Sequence, residues 1–161
     1  MFELPGIRLK SGSQRIFTKA IKAMRPKPYR RSTFVNLDRT RSAIESISGY
    51  TPTDATIWNS LRSTTLQRLT REFLWKCVHN TFRVGDFWGH IDTKELYGPC
   101  HFCDAPETLE HIALGCEAHG QKVIWNLTRE LWLKKYNDWP NLSWGLILGC
   151  NLVRFTAICG T

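Results

Sequence analysis

No stretch of this chain approaches the ~20 consecutive apolar residues that span a bilayer, so the sequence predicts no membrane helix. The opening residues, MFELPGIRLK, lack an apolar run of signal-peptide type, so an intracellular location, nuclear or cytoplasmic, is expected rather than a secreted one. In such a reducing compartment the six cysteines are expected as thiols or metal ligands rather than disulfides. Common enzyme signatures are missing as well. There is no glycine-rich phosphate loop ending in Lys-Ser/Thr, and no His-Glu-x-x-His. Cys100 is not preceded by the His-x-Glu of a zinc deaminase. Cys77 and His79 lie two apart, and helical side chains at that spacing do not face each other as nucleophile and base would. The sequence therefore predicts a non-catalytic chain with no small-molecule substrate and no membrane partner. Internal repeats and low-complexity tracts are also absent.

Acidic residues are scarce at the front. Residues 1–42 hold eleven Lys or Arg against Glu3 and Asp38, whereas residues 43–161 hold eleven basic side chains against twelve acidic ones. The net charge of +8 thus belongs to the first quarter of the chain. A polybasic arm on a near-neutral body suits a nucleic-acid partner; the plainer alternative is a solvated linker or a localisation signal. Lys19, Lys22, Arg25, Lys27, Arg30 and Arg31 are the candidate phosphate contacts, with weak, sequence-tolerant binding that salt abolishes. Tyr29 lies inside that run and is a candidate stacking residue, with an ordinary linker tyrosine as the plainer reading.

What the chain does have is enough to build one domain: 161 residues, 42% of them hydrophobic, with seven tryptophans. Periodicity predicts a mainly α fold, a small helical domain carrying an embedded zinc knuckle, plus the basic N-terminal arm. The divisions read as an arm and linker at 1–35, a helical body at 36–150 and an irregular tail at 151–161. In the arm, Ile16, Phe17, Ala20, Ile21 and Met24 recur at helical spacing before Pro26 and Pro28 forbid continuation, and a linker is placed at 25–35. In the body, helices are expected over 37–48, after the N-cap Thr53, over 65–80 with Leu66, Leu69, Phe73, Leu74, Cys77 and Val78 on one face, and over 118–136 with Val123, Ile124, Leu127, Leu131 and Trp132 inward. Residues 81–99 read as a turn, and Leu142–Leu148 as a short apolar segment without a firm assignment.

Cys100-His-Phe-Cys103 is a turn that lets two thiolates reach one ion. With His111 and Cys116 it gives Cys-x2-Cys-x7-His-x4-Cys, a closed tetrahedral set of the kind structural zinc prefers. His119 is an alternative fourth ligand, in a ribbon-like Cys-x2-His arrangement with Cys116. The competing reading takes these cysteines as small buried hydrophobes. Asp104 and Glu107 resemble a capping box opening a helix over 105–114 that presents His111. Residues five apart on an α-helix point about 140° apart, so Gly115 is expected to turn the chain back and bring Cys116 round. His101 reads as an exposed loop residue and Cys77 as helix core; Cys150 and Cys159 lack ligand-like spacing. Three thiolates and a neutral imidazole leave a zinc site net negative, and Asp92, Glu95, Asp104, Glu107, Glu110 and Glu117 surround it against Lys94 alone. Such a surface is a poor phosphate-binding face. Four protein ligands leave no open position for water, which predicts one structural zinc ion and no catalytic metal.

The series Phe73-Leu-Trp-Lys76, Gly85-Asp-Phe-Trp88, Cys100-x2-Cys103 and Glu107-Thr-Leu-Glu-His111-x4-Cys116 resembles the reverse-transcriptase zinc-binding domain of non-LTR retrotransposons. Ile124-Trp, Glu130-Leu-Trp-Leu-Lys134, Trp139-Pro140 and Leu146-Ile-Leu-Gly-Cys150 look like the version in fungal elements, and the resemblance covers roughly 36–150. It implies Cys100, Cys103, His111 and Cys116 as ligands, and an accessory role in handling nucleic-acid template within a polyprotein. A Tyr-x-Asp-Asp polymerase signature and a ribonuclease H carboxylate set are lacking, so the chain is expected to be a detached fragment or a degenerate genomic copy. The alternative reading is an interaction module that docks on a reverse transcriptase or ribonuclease H domain.

Overall fold

The computed structural model describes residues 12–25 and 30–158. Lys27, Tyr29 and Cys159, together with Pro26 and Pro28 of the predicted linker, lie outside the described residues. The protein is mainly helical, and among the described residues there is no strand, only the isolated bridges Pro99–Pro106 and Tyr136–Ala157. No helix among these residues is long and apolar enough to cross a membrane.

The chain divides into two compact units, Met1–Arg30 and Arg31–Thr161. The first contains helix α1 (Gln14–Met24), which has no buried residue. The second contains α2 (Arg31–Ser48), α3 (Asp54–Leu61), α4 (Arg68–His79), α5 (His119–Leu133) and α6 (Trp144–Leu148). Helix α2 begins at Arg31, six residues before the expected start, so residues 31–35 of the predicted linker belong to the body.

That early start has a physical cause. Thr33, Asn36, Leu37, Thr40 and Ile44 are the buried residues of α2 and recur at three- and four-residue spacing, a single stripe. Two of the first three are polar, which hides the stripe from a hydrophobicity pattern. Asn36 Nδ2 donates to the carbonyls of Cys77 and Val78, both at 3.1 Å, at the C-terminal end of α4, where the Cys77 carbonyl also accepts from the Asn80 N–H. Asn80, left-handed at φ 48°, then ends α4, and Gly49, at φ 66°, follows the end of α2.

Helix α3 opens as expected, with Thr53 Oγ1 accepting from the Thr56 N–H at 3.2 Å. Ile57 and Leu61, one turn apart, join Leu37, Leu74, Cys77, Val78, Trp144 and Leu148 in the core. A smaller cluster holds Ile44, Leu146 and Val153. Residues 151–158 are irregular but not loose: Val153 is buried, and Ile158 N–H donates to the Lys135 carbonyl at 2.9 Å. The short apolar segment resolves into α6, capped by Ser143 Oγ accepting from Leu146 N–H at 3.2 Å. Gly145 lets it lie directly on α2, because a Cβ there would sit 2.2 Å from the Arg39 carbonyl oxygen.

Two predicted faces change. On α4 only Leu74, Cys77 and Val78 are buried, while Leu69 is 76% exposed and Phe73 is exposed. On α5 the helical period holds but the inner stripe is offset by one residue: Trp132 is half-buried as expected, and the other four positions are not. Val123, Ile124, Leu127 and Leu131 are all exposed, and Gln121, Trp125 and Trp132 take the inner side. Both stripes are periodic. The inner one offers donors: Gln121 Nε2 and Trp125 Nε1 both reach the Ala113 carbonyl, at 2.9 and 2.5 Å. Trp132 meets Tyr136, Trp139 and Phe155.

Candidate metal centre

The approach to the site is built from short-range turns. Short 3-10 helices at Gly85–His90 and Glu95–Tyr97 carry the chain to Gly98. Gly85 is left-handed, at φ 52°, and a Cβ on it would fall 2.2 Å from the Glu107 carbonyl oxygen. Cys100 N–H donates to the Ala105 carbonyl at 2.8 Å, and Asp104 N–H donates back to the Cys100 carbonyl at 2.9 Å. This tight loop brings the Sγ atoms of Cys100 and Cys103 to 3.6 Å.

The expected capping box does not form. Asp104 adopts φ 51° to close the loop, and Glu107 N–H is spent on the Gly98 carbonyl at 3.1 Å. Helical structure starts later, at Leu109, and Thr108 Oγ1 accepts from the His111 N–H at 3.0 Å. Thr108 was readable as a hydroxyl three residues ahead of a helical N–H. The return of Cys116 is also achieved differently. Residues His111–Gly115 form one π turn, closed by Cys116 N–H donating to the His111 carbonyl at 2.7 Å. An i→i+5 hydrogen bond widens the turn by one residue and puts positions five apart above one another. Gly115 contributes no left-handed conformation; among the described residues the left-handed glycines are Gly49 and Gly85.

Four side chains converge as a result. Cys100, Cys103, His111 and Cys116 place one ligand atom each, all within 4.8 Å of one another. Cys100 Sγ lies 3.7 Å from Cys116 Sγ, and Cys103 Sγ lies 3.0 Å from His111 Nε2. An ion with Zn–S bonds of about 2.3 Å at tetrahedral angles would hold its sulfurs about 3.8 Å apart, so the two sulfur–sulfur edges match a closed metal site. The cluster can bind a metal ion. His119, the alternative ligand, is exposed at the start of α5 and outside the cluster, and His101 is exposed in the loop. Cys77 lies in the core, where burial pushes its thiol up to about 12, and Cys150 is exposed after α6.

The environment prepares the sulfurs unequally. The Phe102 backbone N–H, then His111, draw the Cys100 thiol down to about 6. At Cys116 the Ala118 N–H, 3.4 Å from Sγ, pulls the same way, but burial and Cys100 outweigh it and the thiol lies above its ordinary value. Leu109, Ala113 and Leu114 pack against the helical core, and Glu110 pairs with Arg39 of α2 at 2.5 Å, joining this segment to the rest of the unit.

The predicted phosphate contacts fall in both units, and Lys27 lies outside the described residues. Lys19 and Lys22 are exposed on α1, Arg25 and Arg30 are exposed beyond it, and Arg31 opens α2 in the other unit. No family model, curated protein or solved structure matches this chain.

Proposed function

We propose that Cys100, Cys103, His111 and Cys116 hold one structural zinc ion, and that the chain is a non-catalytic accessory module of the reverse-transcriptase zinc-binding type that assists nucleic-acid handling. The observation that carries the metal reading is the convergence of three sulfurs and one imidazole nitrogen within 4.8 Å. Softness of the donors favours zinc over magnesium or calcium, which take oxygen ligands. Four protein ligands leave no open coordination position, so the role is to fix the 85–118 segment rather than to activate water.

The basic arm supports the nucleic-acid half of the reading. Six acidic side chains flank the four converging residues in sequence, so phosphate contacts are assigned to Lys19, Lys22, Arg25, Lys27, Arg30 and Arg31. A docking role on a polymerase or ribonuclease H domain is the second reading, favoured by the exposed Val123, Ile124, Leu127 and Leu131 stripe of α5.

Native mass spectrometry of the full chain tests the metal. One zinc is expected in the wild type and in His119→Ala, and a weakened or absent zinc in His111→Ala. A metal-free, folded wild type would overturn the reading. Filter binding at two salt concentrations tests the arm, with Lys19→Ala/Lys22→Ala/Arg25→Ala expected to weaken binding and flatten its salt dependence.

A further inference from the structure

The body is near neutral in sequence, but its charge is not evenly placed. Between α3 and α4 runs a groove of about 430 Å³ whose walls include Trp58, Arg62, Arg68, Arg71, Trp75 and Lys76. Four cations face a single carboxylate there, Glu72, which pairs with Arg68 at 3.0 Å. That pair is well exposed and holds Arg68 only weakly. Arg71 Nη1 donates to the Arg62 carbonyl at 3.4 Å, and its Nε is buried with no hydrogen-bond partner among the described residues. The groove therefore carries an excess of positive charge.

The aromatic wall is fixed in place. His79 stacks on Trp58, with ring centroids 5.2 Å apart, and meets Trp75 edge-on at 4.3 Å. Thr33 Oγ1 holds His79 Nδ1 at 2.9 Å. Trp75 is nonetheless 47% exposed. An indole restrained by neighbours while open to solvent has already lost the rotational freedom that stacking would otherwise cost it. Cations that neutralise backbone charge, beside a ring on which an unpaired base can lie, are the two components of single-strand recognition.

We propose that the α3/α4 groove is a nucleic-acid site in its own right, taking single-stranded RNA or DNA, with Arg62, Arg68 and Lys76 on phosphates and Trp75 stacked on a base. An acidic peptide would satisfy the cations but leave the held indole without a purpose, and a duplex keeps its bases out of reach. The groove's residues are neither those of the arm nor those of the cysteine–histidine cluster. It shares with the proposed function only the class of ligand.

The test is fluorescence anisotropy of a labelled uridine 12-mer and of a 12-base-pair duplex with the full chain. Trp75→Leu is expected to weaken the single strand about 5–30-fold, and Trp75→Phe to restore most of that. Arg62→Ala/Arg68→Ala is expected to lower the salt slope by about 1.4, two phosphate contacts on a single strand. The Lys19→Ala/Lys22→Ala/Arg25→Ala protein keeps the Trp75 effect. If that arm variant loses its affinity while the groove variants bind like wild type, the groove proposal falls and the arm reading stands. The reverse result keeps the groove and removes the arm. Competition by polyglutamate as strong as by oligonucleotide, or a duplex bound as tightly as the single strand, would also overturn the groove proposal. Should Trp75→Leu lose helicity, crosslinking of the wild type with an iodouridine strand decides instead. Adducts on Trp58 or Trp75 support the site, and adducts confined to residues 12–31 contradict it.

Discussion

Helices α2, α3, α4 and α6 bury Leu37, Ile44, Ile57, Leu61, Leu74, Val78, Trp144, Leu146 and Leu148, and most of their polar groups are spent on helical hydrogen bonds and caps. Residues 85–118 bury only Gly85, Cys100 and Cys116 and contain no helix longer than a turn or two. The first region gains its order from apolar area removed from water, whereas the second has a few hydrogen bonds and four converging side chains that could hold an ion. The difference says what each part depends on. A structural zinc ion can contribute ~10–16 kcal/mol of apparent binding free energy, as much as a domain's whole stability, and here it would act on a segment with almost no core of its own.

The largest break is expected from Cys116→Ser. It should abolish zinc retention in native mass spectrometry while far-ultraviolet circular dichroism keeps most of the helical signal. Complete unfolding of this variant would mean that the core and the knuckle are one cooperative unit. Leu148→Ala attacks the other side, leaving a cavity beneath α6. A loss of about 2–5 kcal/mol is expected in chemical denaturation, with metal stoichiometry unchanged. Gly145→Ala should cost about 1–3 kcal/mol by pushing α6 away from the Arg39 carbonyl. Gly115→Ala is its control. A Cβ there would lie 3.5 Å from His111 Nδ1, ordinary contact, so metal content and melting temperature should barely move.

The smallest effect concerns pH. Cys77 ionises near its ordinary value of about 8.5 in the unfolded chain but only towards about 12 when buried, so the unfolded state loses its proton first. This contribution to stability is intact below about pH 8.5 and declines as pH rises through that window. Melts between mildly and strongly alkaline buffer should therefore fall less steeply for Cys77→Ala than for wild type, and parallel slopes would place the thiol outside the core.

Much of the body was legible. Thr53 announces its helix because a cap is a local hydrogen bond, readable from neighbouring residues. The convergence of Cys100, Cys103, His111 and Cys116 was legible because a metal-binding set needs particular side chains at particular spacing. The failures share a cause, since each depended on a partner distant in sequence or on a backbone choice. Asn36 is buried because the end of α4 needs a donor, which no local pattern can reveal. The two stripes of α5 are equally periodic, and the Ala113 carbonyl decides which faces inward. Asp104 looks like a helix cap, yet closing the Cys100–Cys103 loop claims it first. The spacing from His111 to Cys116 does not suit an α-helix, and the remedy is a widened turn rather than a left-handed glycine.

Hydrogen exchange of the zinc-loaded chain, with and without a strong chelator, tests the central claim most directly. Chelation is expected to erase protection across residues 98–118, the Cys116 amide above all, while amides of α2, α4 and α6 stay protected. Exchange that is identical in the two conditions would contradict it.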